Sequence, residues 1–504
     1  MPLPNGDAEW PPRDLKPILN QLEEWDAWYS GDPQRLHAYY AANIARWSPR
    51  PVQYAGGVGG WLARLWWGRP ATTGEPPDKL HIPVAADLAT TSADLLFSEP
   101  PKVVTDDSGT TAWLEQAGDQ FQAALLCAAD VQAALGGVYL RVVWDRDVSD
   151  RPWIASVHAD AAVPEWRYDQ LYAVTFWREL QTDGQQVMRH LERHEPGGII
   201  HGLFVGGLTT LGRRVPLTEH PETAGLAAQV TANGDTIETV TQRLTAAYVP
   251  NQMPSRRWRA TPAGANLGRS DYEGVEPLMD KLDFVWSAWM RDIDLAKGRL
   301  IVPSYMLQSQ GPGGGATFDV DQRLFTPVHD LPGQSGSGAG ITVSQFAIRV
   351  EEHSRSANEL LEQILRDAGY SQQTFGIAGE AAATATEIQS RERRSLVTRA
   401  KKALYWRPGL SSVIAAQLEI ARTAFRAAVT PQPPKITFAD SVQEDAARLA
   451  TTADLLRRAE AASTETLVRL INPDWDGPQV DKEVARIQAE TGQQVQDPGT
   501  FTGR

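Results

Sequence analysis

Between residues 270 and 429 the chain runs long helix, glycine-rich insertion, helix, polar loop, long helix. This order restricts the fold more than any other feature. Ser270–Glu273 has capping-box spacing, and Pro277 suits a first helical turn. Met279, Leu282, Trp286, Trp289 and Ile293 step by three and four, which predicts one apolar stripe on a helix over 270–303. Glycines crowd 310–315 and 333–340, around strand-like pieces such as Arg323–Val328. A second helix is predicted from Ser344 to Ala368, with Phe346, Val350, Ala357, Leu361 and Ile364 on one face and Gly369 at C′. After the polar stretch 370–383, Thr384–Glu387 opens a long helix toward Val429, which Pro408-Gly409 should kink.

Both early helices carry strongly charged faces. Residues 270–303 hold seven acids against four bases, and residues 345–369 hold five against three. An ordinary antiparallel helix pair with solvated faces accounts for this without any function.

Upstream, residues 11–50 read as two helices broken at Ser30-Gly-Asp-Pro33, followed by a Gly/Pro-rich loop holding Trp61, Trp66 and Trp67. Residues 81–100 should begin as a short strand and become a helix, and another helix should span 110–135, closed by Gly136-Gly137. Short β-branched segments then alternate with turns: Val138–Trp144, Trp153–His158, Leu171–Leu180, Gln186–His194 and Ile199–Val205. They predict an antiparallel β-meander, with an irregular stretch over 206–269. Ile436–Phe438 should be a short strand. Two helices are expected over 441–460 and 463–490, the second interrupted at Asn472–Trp475, before a disordered last dozen residues.

The composition narrows the function. A net charge of −14 is unlike a protein that wraps nucleic acid tightly. Seventeen Trp suit a buried core first and protein interfaces second. The one cysteine, Cys127, lies in an apolar run and reads as a small buried hydrophobe; it excludes an internal disulfide. The N-terminus lacks the pattern of a signal peptide, and no run of about 18 apolar residues predicts a membrane span.

Recognisable catalytic motifs are missing. There is no Gly-Lys dipeptide, hence no P-loop, and no H-E-x-x-H or G-x-S-x-G. His190 and His194 could share a metal on a helix, but on a strand they lie about 13 Å apart. Asp145 and Asp147 read as turn residues. No metal or cofactor is expected.

Several stretches taken in order resemble the portal proteins of tailed double-stranded DNA phages. The likeness is greatest to siphovirus portals, particularly those of phages infecting actinobacteria. The stretches are Trp28–Tyr40, Leu80–Pro101, Val163–His194, Tyr272–Pro303 and Thr384–Ser395. The resemblance implies an α+β subunit of a ring, a dodecamer in that family. Residues 1–269 would be the wing, 270–303 and 344–369 the stem helices, and 304–343 the clip, with Phe318, Arg323 and Phe325 in it. Residues 370–383 would be a tunnel loop offering Gln372, Gln373, Thr374 and Phe375 to DNA. Residues 384–429 would be the long wing helix and 430–504 the crown. Glu276, Asp280, Asp283, Glu352 and Glu359 would form an acidic stem face over which a duplex could slide.

The cluster Arg391, Arg393, Arg394, Arg399, Lys401 and Lys402 has two readings. It is a phosphate-facing belt, or it pairs with acids in the ring or with solvent. The implied role is a conduit at one capsid vertex, assembled in the host cytoplasm. It would nucleate the capsid with major capsid and scaffolding proteins, dock the large terminase, then a head-completion or adaptor protein. Another virion connector, or a nucleic-acid-processing enzyme, remains the alternative.

Overall fold

The computed structural model describes residues 3–6, 8–47, 79–230, 236–239, 241–295, 299–301, 308–309, 316–317, 342–344, 348–377, 385–438, 446–472, 475 and 477–492. The chain forms two compact units, Met1–Thr437 and Phe438–Arg504.

In the first unit, α1 (Lys16–Ser30) and α2 (Pro33–Trp47) meet at Gly31, which is left-handed at φ 65°. Leu22, Trp25, Trp28 and Leu36 are fully buried against α3 (Val84–Phe97), Tyr272, Met279 and Leu282. Each such side chain contributes about 1.5–3 kcal/mol by leaving water.

Among the described residues no strand precedes α3. The backbone N–H groups of Leu80 and Ile82 donate instead to Ser287 Oγ and Asp283 Oδ1, at 2.9 and 2.8 Å. The helix expected over 110–135 is two helices, α4 (Ser108–Glu115) and α5 (Gly118–Leu135). The Asp107 carboxylate caps α4 by accepting from the N–H groups of Gly109 and Thr110. Cys127 is exposed on α5, on the side away from buried Leu125, Ala128 and Ala129, so the expectation of burial fails.

Helix α5 ends at Gly136, where φ is 80° and a Cβ would lie 2.9 Å from the Gly268 carbonyl oxygen. Gly136→Ala should therefore cost about 2 kcal/mol or more, read as a lowered denaturant midpoint.

The strands are β1 (Lys102–Val104), β2 (Gly137–Val143), β3 (Trp153–His158), β4 (Ala162–Arg167), β5 (Gln170–Asp183), β6 (Gln186–Glu195), β7 (Gly198–Gly206), β8 (Arg213–Val215), β9 (Thr236–Glu238) and β10 (Ala246–Pro250). The expected single meander is two antiparallel sheets, ordered β10-β2-β3 and β4-β5-β6-β7-β8, with β9 also on β7. Strand β10 comes from the stretch expected to be irregular and takes β2 and β3 out of the larger sheet.

Helix α6 is Glu276–Leu295, shorter at both ends than the predicted 270–303. The capping box does not form. Ser270 Oγ accepts from the Tyr272 N–H, and the Glu273 carboxylate takes the Ser255 hydroxyl and the Arg256 N–H. The chain then pairs as β11 (Arg299–Ile301) with β14 (Thr342–Ser344), so α7 begins at Val350 and runs to Ala368. Gly369 ends α7 in the left-handed region, as expected. Between them β12 (Gln308–Ser309) pairs with β13 (Ala316–Thr317).

Helices α6 and α7 pack antiparallel. Asp292 holds Arg349 and His353 at one end, and Asp271 holds Tyr370 at the other. Along the predicted stripe Met279 and Leu282 are buried, Trp286 and Trp289 are half-buried, and Ile293 is exposed. Trp286, Trp289 and His353 stack in succession. Helix α8 (Ala385–Ala424) runs unbroken through Pro408 and stops short of Val429. Strand β15 (Lys435–Thr437) pairs antiparallel with β1.

The second unit holds α9 (Ala446–Arg458), α10 (Thr464–Ile471) and α11 (Gly477–Gly492). They match the two predicted helices and their interruption. Trp61, Trp66, Trp67, Phe346, the strand-like piece Arg323–Val328, Thr384 and the final dozen residues lie outside the described residues.

Candidate functional site

Three acids of α6, Glu276, Asp280 and Asp283, face inward. Asp283 is almost fully buried; its Oδ2 accepts from the Tyr40 hydroxyl at 2.6 Å and sits 3.0 Å from His81 Nδ1. Burial, then the hydrogen bond to Asp283, pushes the Tyr40 hydroxyl up and keeps it neutral. Glu276 accepts from Trp25 Nε1 at 2.9 Å and from the Gly274 N–H at 2.7 Å, and Asp280 pairs with Lys79. Glu276, Asp280 and Asp283 thus do not form a solvated channel face. They satisfy donors from α1, α2 and the segment before α3. Glu352 and Glu359, on α7, are exposed, and Glu359 pairs with Arg355 at 3.1 Å.

The basic cluster divides in the same way. Lys402 is 1% exposed at its side chain. Its Nζ donates to Asp271 Oδ2 at 2.5 Å, to the Tyr370 hydroxyl oxygen at 3.0 Å and to Ser92 Oγ. Asp271 Oδ1 also accepts from Asn251 Nδ2 and Gln252 Nε2, each at 2.8 Å. Burial lowers the Lys402 pKa, and the Asp271 charge opposes that shift. Lys402 is therefore no part of an exposed belt; it fastens α8 to α3 and to the segments just before α6 and just after α7. Arg399 is half-buried and donates to the Leu95 carbonyl at 2.5 Å. Arg393, Arg394 and Lys401 are exposed, while the Arg391 side chain lies outside the described residues.

The loop after α7 folds back onto this hub. Residues Gln372–Phe375 form a 3-10 turn. The hydroxyls of Ser371, Thr374 and Ser395 lie within 3.0 Å of one another. Phe375 meets the Tyr370 ring edge-on, 6.0 Å between centroids, and packs on the core. Thr374 and Phe375 are half-buried in these contacts. Gln372 and Gln373 are half-buried, and residues 378–384 lie outside the described residues. So do the predicted insertion residues Phe318, Arg323 and Phe325.

Other chemistry finds little support. His190 stacks on His201 with rings 5.3 Å apart, and His194 contacts Thr245 and Glu192, so each imidazole is engaged. Asp145 Oδ1 accepts from the Asp147 N–H, a turn contact as expected. A cavity of about 450 Å³ opens beside His190, His201, Arg141 and Glu192; Glu192 and Arg141 are ion-paired there. Among the described residues no group of three His, Cys, Asp or Glu could hold a metal. Nor, among them, is any helix long and apolar enough to cross a membrane.

Sequence reasoning missed the Lys402–Asp271 hub. Its partners are 131 residues apart, and no local spacing links them.

No curated protein matches the chain. A family model described as phage portal protein, SPP1 Gp6-like, matches residues 14–497, nearly the whole chain. The match spans the sheets, the α6–α7 pair with its insertion, and α8. The chain belongs to the SPP1 Gp6-like family of phage portal proteins.

Proposed function

We propose that this portal protein closes into a dodecameric ring at one capsid vertex, through which double-stranded DNA enters and leaves. Its subunit would be organised as wing 1–269, stem helices 270–303 and 344–369, clip 304–343, tunnel loop 370–383, wing helix 384–429 and crown 430–504. In this reading the helical parts of the stem are α6 and α7. The observation that carries it is the family match over residues 14–497, set beside the antiparallel α6–α7 pair. The β11–β14 ladder supports a projecting clip, because it makes the insertion leave and return at one place.

The family is structural, and the role is a conduit rather than a catalyst. The net charge of −14 suits a ring that repels DNA more than it grips it. Partners in this reading are the large terminase during packaging, a head-completion or adaptor protein afterwards, and major capsid and scaffolding proteins during assembly in the host cytoplasm. The phage type is a siphovirus of actinobacteria.

Electron microscopy of the purified full chain, with native mass spectrometry, tests the proposal. Rings with a central hole and a mass of twelve subunits are expected. A closed ring of another count would overturn the dodecamer alone. A chain that stays monomeric, both alone and when co-produced with its capsid and scaffolding proteins, would overturn the ring.

A further inference from the structure

Helix α8 presents a face that is exposed among the described residues. Arg393, Arg394, Val397, Lys401, Leu404 and Arg407 are all exposed and fall on one side of the helix. Leu404 is 59% exposed and Val397 46%. The exposed positions of this face carry four cations and no acid. A DNA backbone would suit the cations but not two aliphatic side chains at the centre. A protein surface with acids beside apolar groups suits both.

Helix α7 offers such a surface. Glu352 and Glu359 are exposed and seven residues apart, two turns along one line of the helix. Arg394 and Lys401 have the same separation on α8. Both pairs therefore repeat at about 10 Å, since seven residues rise 1.5 Å each. Ile348, just before the N-cap Arg349 of α7, is an exposed aliphatic side chain on the approach to Glu352. The Arg355–Glu359 pair within α7 is largely exposed and offers little resistance to a change of partner. Charged rungs on a surface are weak alone, so Val397 and Leu404 beside them on α8 are needed to exclude water.

We infer that the exposed face of α8 docks on α7 of a second copy of this chain, with Arg394 and Lys401 set against Glu352 and Glu359. The contact uses two different surfaces, the kind that closes into a ring. It rests on the ring reading and deepens it. In this reading the basic cluster meets acidic neighbours rather than phosphate.

Charge reversal in the full chain tests it, with assembly followed by native mass spectrometry and electron microscopy. The Arg394→Glu, Lys401→Glu double variant and the Glu352→Lys, Glu359→Lys double variant should each lower the assembly constant by about tenfold or more. Combining all four should restore rings. Far-UV circular dichroism melts should match wild type, because the reversed residues are exposed. Rings that persist in both reversals would overturn this contact and leave the ring intact. Reversals that break rings without mutual rescue would overturn the α7 assignment. Reversals that leave rings whole but weaken retention of duplex DNA would return the cluster to a phosphate belt. A wild-type chain that never forms rings would overturn the ring reading, and this contact with it.

Discussion

Lys402→Met should destabilise the unit Met1–Thr437 by about 3–5 kcal/mol, the usual cost of removing one partner from a buried ion pair. The Asp271 side chain is 0% exposed, so without the lysine its charge loses its ion-pair partner among the described residues. Asn251, Gln252 and Tyr370 would still donate to it, but none carries a charge. Methionine fills much of the lysine stem's volume, so lost packing contributes little. Equilibrium unfolding in urea at neutral pH reads the effect. Adding Asp271→Asn to Lys402→Met should recover most of the loss, since the stranded charge is then gone. If the single variant costs less than about 1 kcal/mol, the pair does not hold the four segments together as argued.

His190→Phe should remove about 3 kcal/mol of acid sensitivity. His190 is 4% exposed, and its pKa is lowered to about 4, mainly by burial and then by His201, against an ordinary value of 6.5. Arg178 and Arg141 also disfavour its charged form, while Glu192 favours it. The unfolded chain thus takes up this proton first as the pH falls. Stability on this account is intact above pH 6.5, declines through the window from 6.5 to 4, and is lost below it. Phenylalanine keeps a ring on His201 but cannot titrate. Glu192, which His194 and Arg141 hold well below the usual carboxylate range against the opposing effect of burial, stays in both proteins, so comparing them isolates His190. Denaturant midpoints at pH 7 and 4.5 decide it: equal slopes in wild type and variant would mean that His190 does not titrate in this window.

What was legible in the sequence was local. Gly31, Gly136 and Gly369 end helices where expected, because a left-handed residue at a helix end is a property of the residue itself. Strands β5, β6 and β7 were readable because β-branched and aromatic residues bounded by turn residues mark them directly, although their burial does not alternate. Distant partners were not readable. Ser270 and Glu273 have the spacing of a cap, yet a loop some twenty residues earlier takes the glutamate. The acids of α6 look like a solvated face until Tyr40, His81 and Lys79 are seen to need them. Lys402 looks like its neighbour Lys401; only the fold shows that one is buried and the other exposed.

The hub also constrains when the subunit can finish folding. Helix α3 meets Arg399 and Lys402 across separations of 304 and 310 residues, and β1 waits for Thr437. At roughly 5–20 residues per second, a ribosome needs about 15–60 s between making α3 and making its cover. Throughout that interval Leu88 and Phe97 lack part of the surface that finally buries them. A nascent chain still short of α8 therefore cannot present the finished unit Met1–Thr437 to any partner.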